Sequence, residues 1–185
     1  MSDTQALAPD DTLGEWVRQR YRKAYRTAVL ICGLPADAEE AVQDAFLRAW
    51  RFRDALPEGE RRDAWFYRVL VNACYSKMRR EGPRRSREVA PVDDTVPDDE
   101  RDAPDVSAER SLTATALQAA LQTLPEPLRV VVVLRYYAEL SERDIAIAIS
   151  RRPGTVKSRL HEARRRLADD ARLAAYRPNA EVSTP

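Results

Sequence analysis

The hydrophobic residues of this chain recur at three- and four-residue spacing, and no segment of any length shows the alternation of a strand. This periodicity is typical of amphipathic helices and predicts an all-α protein. The first predicted helix covers residues 13–31. A second opens at Pro35 and Asp37, because proline suits the first turn of a helix and a carboxylate favours its positive end. The apolar positions of this second helix are Ala38, Val42, Ala45, Phe46, Ala49 and Trp50.

The rest of the first half predicts a loop and a third helix. Residues 53–62 are predicted to form a polar loop, since they contain Pro57 and Gly59. The third helix is predicted over residues 63–80. The result is a three-helix module, with room for a short fourth helix. One face of the third helix carries Trp65, Val69, Leu70 and Ala73.

The second half begins with two more predicted helices. The first starts near Leu112 and is expected to stop at Pro125 and Pro127, because proline interrupts helical hydrogen bonding. The second is marked by apolar residues at helical spacing, namely Leu128, Val131, Val132 and Leu134.

A helix-turn-helix is predicted to follow. Ser141 is a good N-cap, and Asp144 three residues later can reach back in a variant of the capping box. A short helix over residues 142–149 then meets a break at residues 150–152. Pro153 suits the first turn of a new helix, because its missing N–H would have no partner there. This order is a helix-turn-helix signature.

The last helix of this motif has two different faces when residues are placed at 100° steps. The inward stripe consists of Val156, Leu160, Ala163 and Leu167. The opposite face carries Gly154, Ser158, His161 and Arg165, with Lys157 and Glu162 on the flanks. Residues 151–166 hold seven basic residues and one acid. Small or hydrogen-bonding residues surrounded by cations are what a DNA-recognition helix needs, the alternative being a plain solvated surface helix.

Charge is partitioned far more sharply than the net value of +1 suggests. Residues 11–89 carry 17 Lys or Arg against 12 Asp or Glu, and residues 112–177 carry 12 against seven. Residues 90–111 between them carry two against eight. The segment 81–111 has four prolines and almost no large apolar residues, so it is predicted to be a flexible linker. Two basic modules on an acidic tether suit a polyanion contacted at two places.

Several classes of function are disfavoured. Cys32 and Cys74 are the only cysteines and His161 is the only histidine, too few for a zinc site built from these residue types. Both cysteines have apolar neighbours, which favours buried structural thiols. We see neither a phosphate-cradling glycine loop nor a catalytic carboxylate cluster, so no enzyme, catalytic residue, metal or cofactor is expected. No apolar run approaches the roughly 18–20 residues that span a bilayer, and the start MSDTQALAPDD lacks secretory features. A cytoplasmic protein without membrane contact is expected.

Two stretches carry a more specific resemblance. TVKSRLHEARRRL, preceded by LRYYAELSERDIA and LPEPLRVVVV, resembles region 4 of sigma factors of the extracytoplasmic-function (ECF) group. DAEEAVQDAFLRAWRF, followed by AWFYRVLVNACYSKMRR, resembles region 2 of the same group. The resemblance implies a region 2 helical domain over residues 11–80 and a region 4 helix-turn-helix domain over residues 112–177, joined by the linker 81–111. It also implies a sigma factor that binds core RNA polymerase and directs transcription initiation at minus-ten and minus-thirty-five promoter elements.

The resemblance also implies a role for individual residues. The helix expected to dock on the clamp helices of the polymerase β′ subunit carries Asp37, Glu39, Glu40, Gln43, Asp44 and Leu47. Candidates for the minus-ten element are Arg61, Arg62, Trp65, Tyr67, Arg68, Asn72, Lys77, Arg79 and Arg80. Trp65 and Tyr67 also fit the core, and for Trp65 that interpretation is slightly favoured. Candidates for the minus-thirty-five element are Arg151, Arg152, Thr155, Lys157, Ser158, His161 and Arg165, while the apolar surface of region 4 is expected to rest on the β flap.

The chain departs from the usual pattern of the group at a few positions. Ser76 stands where an Asp is frequent, and Ser150 with Arg151 replaces a common pair of glycine and an apolar residue. Glu162 stands where a base is frequent, and an acid there would repel phosphate unless it meets a cytosine amino group. These departures leave the promoter sequence unpredicted.

Two further hypotheses stay open at this point. One is a stand-alone helix-turn-helix regulator, which would bind duplex DNA without polymerase. The other concerns an additional partner, an anti-sigma protein that clamps both modules, since docking proteins keep exposed apolar surfaces.

Overall fold

The structure is a computed structural model that describes residues 9–57, 59–80 and 104–176. Within these ranges the regular elements are all helices, as the periodicity predicts. No helix in the described part of the chain is long and apolar enough to cross a membrane. Most of the expected acidic linker lies outside the described residues.

The first half forms an N-terminal lobe of three helices. These are α1 (Pro9–Cys32), α2 (Pro35–Arg51) and α3 (Glu60–Arg80), with a 3-10 turn at Arg53–Ala55 between the last two. The start of α3 lies before the predicted residue 63, so Arg61 and Arg62 belong to its first turn and not to the loop.

The N-terminal lobe is held together by aromatic packing and one ion pair. The Trp16 ring meets Phe66 edge to face at 5.3 Å between centroids, and Phe46 packs on Phe66 at 4.7 Å. Arg20 on α1 binds Asp63 on α3 through two hydrogen bonds, from Nε at 2.7 Å and from Nη2 at 3.0 Å. These contacts fix α3 against α1 and α2.

The second half forms a C-terminal lobe. It contains α4 (Pro104–Thr123), α5 (Glu126–Tyr136), α6 (Glu142–Ala148) and α7 (Pro153–Ala168), followed by a 3-10 segment at Ala171–Tyr176. The start of α4 lies eight residues before the expected Leu112. The local sequence has two helix-start signals there, Pro104 and Asp105. Pro127 lies in the first turn of α5 and does not end a helix.

The two lobes pack against each other. Helix α3 lies on α6, and α1 lies on α5 and α4, so one continuous cluster of buried residues includes both lobes. Polar contacts cross the junction as well: Gln122 Nε2 donates to the Leu30 carbonyl at 3.0 Å, and Lys23 Nζ lies 2.6 Å from Glu139 Oε2. Sequence reasoning expected two independent tethered modules. In the structure they share an interface, which no local pattern indicated.

Both cysteines are buried at the contact of α1 with α3, as predicted. A hydrogen bond from the Cys74 thiol to the Cys32 sulfur and burial together raise the pKa of the Cys74 thiol well above its ordinary value. A thiol held in its neutral form is a poor nucleophile, so this pair acts as core packing.

Candidate nucleic-acid interface

Helix α6 is capped as the sequence predicts. The Asp144 backbone N–H donates to Ser141 Oγ at 3.1 Å, and the Ser141 hydroxyl in turn donates to the Asp144 carboxylate. The carboxylate therefore reaches back to the hydroxyl and not to a backbone N–H. Because the cap fixes where α6 begins, it also fixes the position of the turn that follows.

The turn between α6 and α7 is a Schellman motif with serine at its left-handed position. The Ser150 N–H donates to the Ile147 carbonyl at 3.2 Å, and the Arg151 N–H donates to the Ala146 carbonyl at 2.9 Å. Ser150 has φ +53°, a conformation that glycine adopts at much lower cost. Serine therefore holds here a backbone conformation to which glycine is better suited.

The faces of α7 agree with the prediction. Val156, Leu160 and Ala163 are at most 2% exposed, and Leu167 is half-buried against the same core. Thr155 is half-buried and its carbonyl accepts a hydrogen bond from the Ser158 hydroxyl at 3.1 Å. The remaining predicted DNA contacts of this lobe are exposed, namely Arg151, Arg152, Lys157, Ser158, His161 and Arg165. One side of α7 is therefore exposed while the other is held by the core.

Glu162 is neutralised within its own helix. Arg165 forms a two-pronged contact with this carboxylate at 2.8 and 3.0 Å, and Arg166 Nε lies 2.7 Å from it. The hydrogen bond from Arg165, and after it that from Arg166, lowers the pKa of Glu162 to about 2. The acid therefore holds two arginines of α7 in ion pairs.

The predicted minus-ten residues are spread over the exposed and inner sides of α3. Arg62 is half-buried, donates from Nε to the Pro57 carbonyl at 3.1 Å and lies over the Trp16 ring. Trp65 is half-buried and packs against the core, in line with the favoured interpretation. The exposed members of the set are Arg61, Arg68, Asn72, Arg79 and Arg80.

Tyr67 does not lie at the surface, contrary to its predicted place among the DNA contacts. Its side chain is 8% exposed and forms a hydrogen bond with Thr27 of α1. Burial raises the pKa of the Tyr67 hydroxyl to about 12. A ring enclosed by its own core cannot stack on a base without unfolding α3 from α1, so Tyr67 is a packing residue in this structure.

Lys77 is also different from expectation, because it is paired with acids of α2. Its Nζ lies 2.6 Å from Glu40 Oε2 and 3.4 Å from Asp44 Oδ2. The hydrogen bond to Glu40 is the main reason that the pKa of Lys77 is raised. Two predicted polymerase contacts and one predicted DNA contact thus form a single bridge between α2 and α3.

The α2 surface presents only part of the predicted polymerase-binding set. Asp37 is 6% exposed and lies in the first turn of α2, where its carboxylate interacts favourably with the positive end of the helix. Because it is buried, it offers little surface to a partner protein. Glu39, Gln43 and Leu47 are exposed alongside the bridged Glu40 and Asp44.

An apolar patch adjoins this surface, and two of its three residues, Trp50 and Phe52, were missed by sequence reasoning. Leu47, Trp50 and Phe52 are 55%, 45% and 58% exposed, and the Arg53 guanidinium lies 5.2 Å from the Trp50 ring centroid. Helical periodicity placed Trp50 on the inward side of α2, which is wrong because α2 ends at Arg51, beyond the edge of the core. Exposed large apolar side chains beside acids are typical of a protein-binding surface.

Comparison with known proteins identifies the two lobes. Residues 16–84 match the model of Sigma-70 region 2, and residues 114–167 match that of Sigma-70, region 4. The chain is 35% identical over 159 residues to the ECF RNA polymerase sigma factor SigM of Mycobacterium tuberculosis, covering 86% of this chain and 75% of the relative. It is 31% identical to the RNA polymerase sigma-E factor of Streptomyces coelicolor, covering 84% of each chain.

A solved structure shows the same fold. The sigma factor RpoE, determined in complex with the anti-sigma factor NepR from Bartonella quintana, superimposes with a TM-score of 0.65 at 28% identity, over 83% of this chain and 92% of that one. Both lobes therefore have relatives of one kind and in the same order. The chain belongs to the ECF group of sigma factors, which bind core RNA polymerase and direct it to promoter DNA.

Proposed function

We propose that the two lobes divide promoter recognition between separate surfaces of the chain. The exposed face of α7 reads the minus-thirty-five element, the exposed side of α3 contacts the minus-ten element, and α2 with its apolar patch binds the β′ clamp helices. The observation that carries this proposal is the segregation of α7, whose apolar stripe is buried while its cations and hydroxyl are exposed. In this scheme residues 11–80 and 112–177 are the functional units.

The residues proposed for each contact follow from exposure. On α7 they are Arg151, Arg152, Lys157, Ser158 and His161, with Thr155 beside them. On α3 they are Arg61, Arg68, Asn72, Arg79 and Arg80. On α2 they are Glu39, Gln43 and Leu47, extended by Trp50 and Phe52.

The chemistry of these surfaces is that of binding and not of catalysis. Arginine and lysine neutralise phosphates, while exposed hydroxyl and imidazole groups near the start of α7 reach base edges. We infer that the chain is a non-enzymatic initiation factor that works where core polymerase is, in the cytoplasm. An anti-sigma protein is proposed as a further partner, as in the complex of the structural relative.

One experiment tests the division of labour. Lys157→Ala or Arg152→Ala should lower transcription from a native promoter about 3- to 30-fold and leave binding to core polymerase within 2-fold, because a phosphate or base contact is worth about 1–2 kcal/mol. Leu47→Asp should weaken core binding about 10-fold or more, because it places a charge in an apolar contact. Arg18→Ala, an exposed change on α1, serves as the control and should affect neither quantity.

The readouts are run-off transcription with purified core polymerase and co-elution with core in size-exclusion chromatography. If Lys157→Ala abolished core binding while promoter selectivity persisted, the assignment of surfaces would be wrong. If the wild-type chain bound duplex DNA by itself, eluted apart from core and started no transcript, a stand-alone regulator would be the better description.

A further inference from the structure

The junction of the two lobes forms a cleft in which arginines from both lobes meet. Its volume is about 950 Å³. Arg68 on α3 projects from the N-terminal lobe, and Arg143, Arg151 and Arg152 come from the helix-turn-helix. All four are exposed, and no Asp or Glu is among the described residues that line the cleft. Four arginines therefore line one open cleft, and no acid is among the described residues of its wall.

Four arginines without an acid beside them in the described wall attract anions. Cations of one sign gathered along a shallow cleft add up to a positive local potential. Arginine is also the side chain best suited to phosphate, since its planar donors bind two oxygens at once. The start of α7 lies at the same cleft, because Pro153 and Thr155 line it, and a helix N-terminus adds positive potential of its own.

Part of the remaining wall is apolar, next to Ser150 and Thr155. Ala146, Ile147 and Pro153 lie beside the arginines, and Ile147 is 44% exposed although it is a large hydrophobic residue. A flat apolar group could cover this surface while a phosphate chain reaches the guanidinium groups. The volume lies within the range of clefts that hold small organic ligands.

We propose that this cleft binds a nucleotide carrying two or more phosphates, with the phosphate chain between Arg68 and the arginines of the helix-turn-helix and the base on Ile147 and Pro153. Because the cations come from both lobes, the ligand joins the lobes in their packed arrangement. This site shares Arg68, Arg151 and Arg152 with the proposed promoter contacts, and it differs from them in its ligand and in Arg143, which has no proposed contact with DNA.

Titration calorimetry of the full chain without divalent cations tests the ligand class. ATP and GTP should bind in a one-to-one ratio, tripolyphosphate should bind about 3- to 10-fold more weakly, and adenosine alone should not bind measurably, since most of the affinity comes from charge-assisted hydrogen bonds. Sulfate at matched ionic strength is the control for unspecific charge. If sulfate competes as well as tripolyphosphate does, or if no one-to-one binding of the nucleotides occurs, the proposal is overturned.

Variants test whether the site includes both lobes. Arg143→Ala and Arg68→Ala should each weaken ATP binding about 10-fold, the usual loss for one charge-assisted hydrogen bond. Arg143→Lys should keep part of the affinity because it keeps the charge. Arg51→Ala, which removes an exposed arginine at the far end of α2, should change it less than 2-fold. Circular dichroism establishes that each variant is folded.

The outcomes separate this inference from the proposed promoter contacts. If Arg68→Ala binds ATP like the wild type, the ligand does not bridge the lobes and the inference fails. That result would not contradict the proposed function in transcription, because the binding assay contains neither polymerase nor DNA. Conversely, loss of promoter selectivity in the α7 variants says nothing about ATP binding by Arg143→Ala.

Discussion

At the scale of the residue, Ser150 in the turn of the helix-turn-helix has a backbone conformation that residues with a side chain rarely adopt. Ser150 occupies the left-handed position of the Schellman motif at φ +53°. A side chain there brings Cβ close to the following carbonyl, at a cost of about 1–2 kcal/mol relative to glycine. The turn keeps its geometry because the two hydrogen bonds to α6 and the buried stripe of α7 determine it.

Ser150→Gly is therefore expected to stabilise the protein by about 0.5–1 kcal/mol, since relief of strain exceeds the added backbone entropy of the unfolded chain. Urea unfolding followed by circular dichroism measures the change. Ser158→Gly is the matched control, because it replaces an exposed serine within the regular part of α7 and should destabilise by about 0.5–1 kcal/mol. Equal losses for both variants would contradict the strain argument.

At the scale of the element, an acid within α7 pairs with two arginines of the same helix. Glu162 forms ion pairs with Arg165 and Arg166 one turn further along the helix. Its pKa is lowered, so this pairing favours the folded state above the ordinary carboxyl pKa of 4.5 and is lost as the pH falls toward about 2. The pairs therefore persist throughout the neutral range and reduce the cationic charge that α7 offers to phosphate.

Glu162→Gln is expected to strengthen promoter binding by the polymerase complex about 3- to 10-fold at low salt and to steepen the salt dependence by about one ion, because a released arginine takes up a phosphate contact. Promoter binding at a series of salt concentrations gives both values. Glu142→Gln removes the same charge from an exposed position on α6. It should change the promoter affinity and its salt dependence less than Glu162→Gln does. If the two variants behaved alike, net charge rather than the release of Arg165 would explain the effect.

At the scale of the whole molecule, a polar contact joins the lobes at the end of α1. Gln122 of α4 donates to the Leu30 carbonyl and accepts from Arg129 of α5, whose guanidinium also reaches the Met78 sulfur of α3 at 3.7 Å. Gly33 lies directly beneath this contact with φ +84°. A Cβ at Gly33 would lie 2.7 Å from Gln122 Oε1, too close for a normal contact.

Gly33→Ala should destabilise the protein by about 2–3 kcal/mol. The left-handed backbone conformation costs about 1–2 kcal/mol for alanine, and the displacement of the Gln122 side chain adds to this cost. Thermal and urea unfolding measure the loss. Gly59→Ala is the control: it has a similar φ of +60° but open space around its Cβ, so it reports strain alone. The additional loss at Gly33 should shrink when Gln122→Ala is combined with it. An unchanged additional loss would show that a clash with Gln122 is not its cause.

Local pattern was sufficient for the helices and for much of the recognition motif. The periodicity of Val156, Leu160 and Ala163, the Ser141 cap and Pro153 each act within one or two turns, so neighbouring residues contain the information. The same holds for the early start of α4, which a closer weighing of Pro104 and Asp105 as helix-start signals would have found. The sigma-factor family followed from two such motifs in the right order.

Only the tertiary structure decided which predicted contacts are available. Tyr67 and Asp37 are buried, Lys77 is paired with Glu40, and Trp50 is exposed, because each depends on how one helix packs on another or where the core ends. The arginine cleft likewise joins Arg68 to Arg143, residues 75 positions apart in the sequence. Amphipathic periodicity records which side of a helix faces inward, but it contains no information about which partner covers that side, and that partner determines which charges meet.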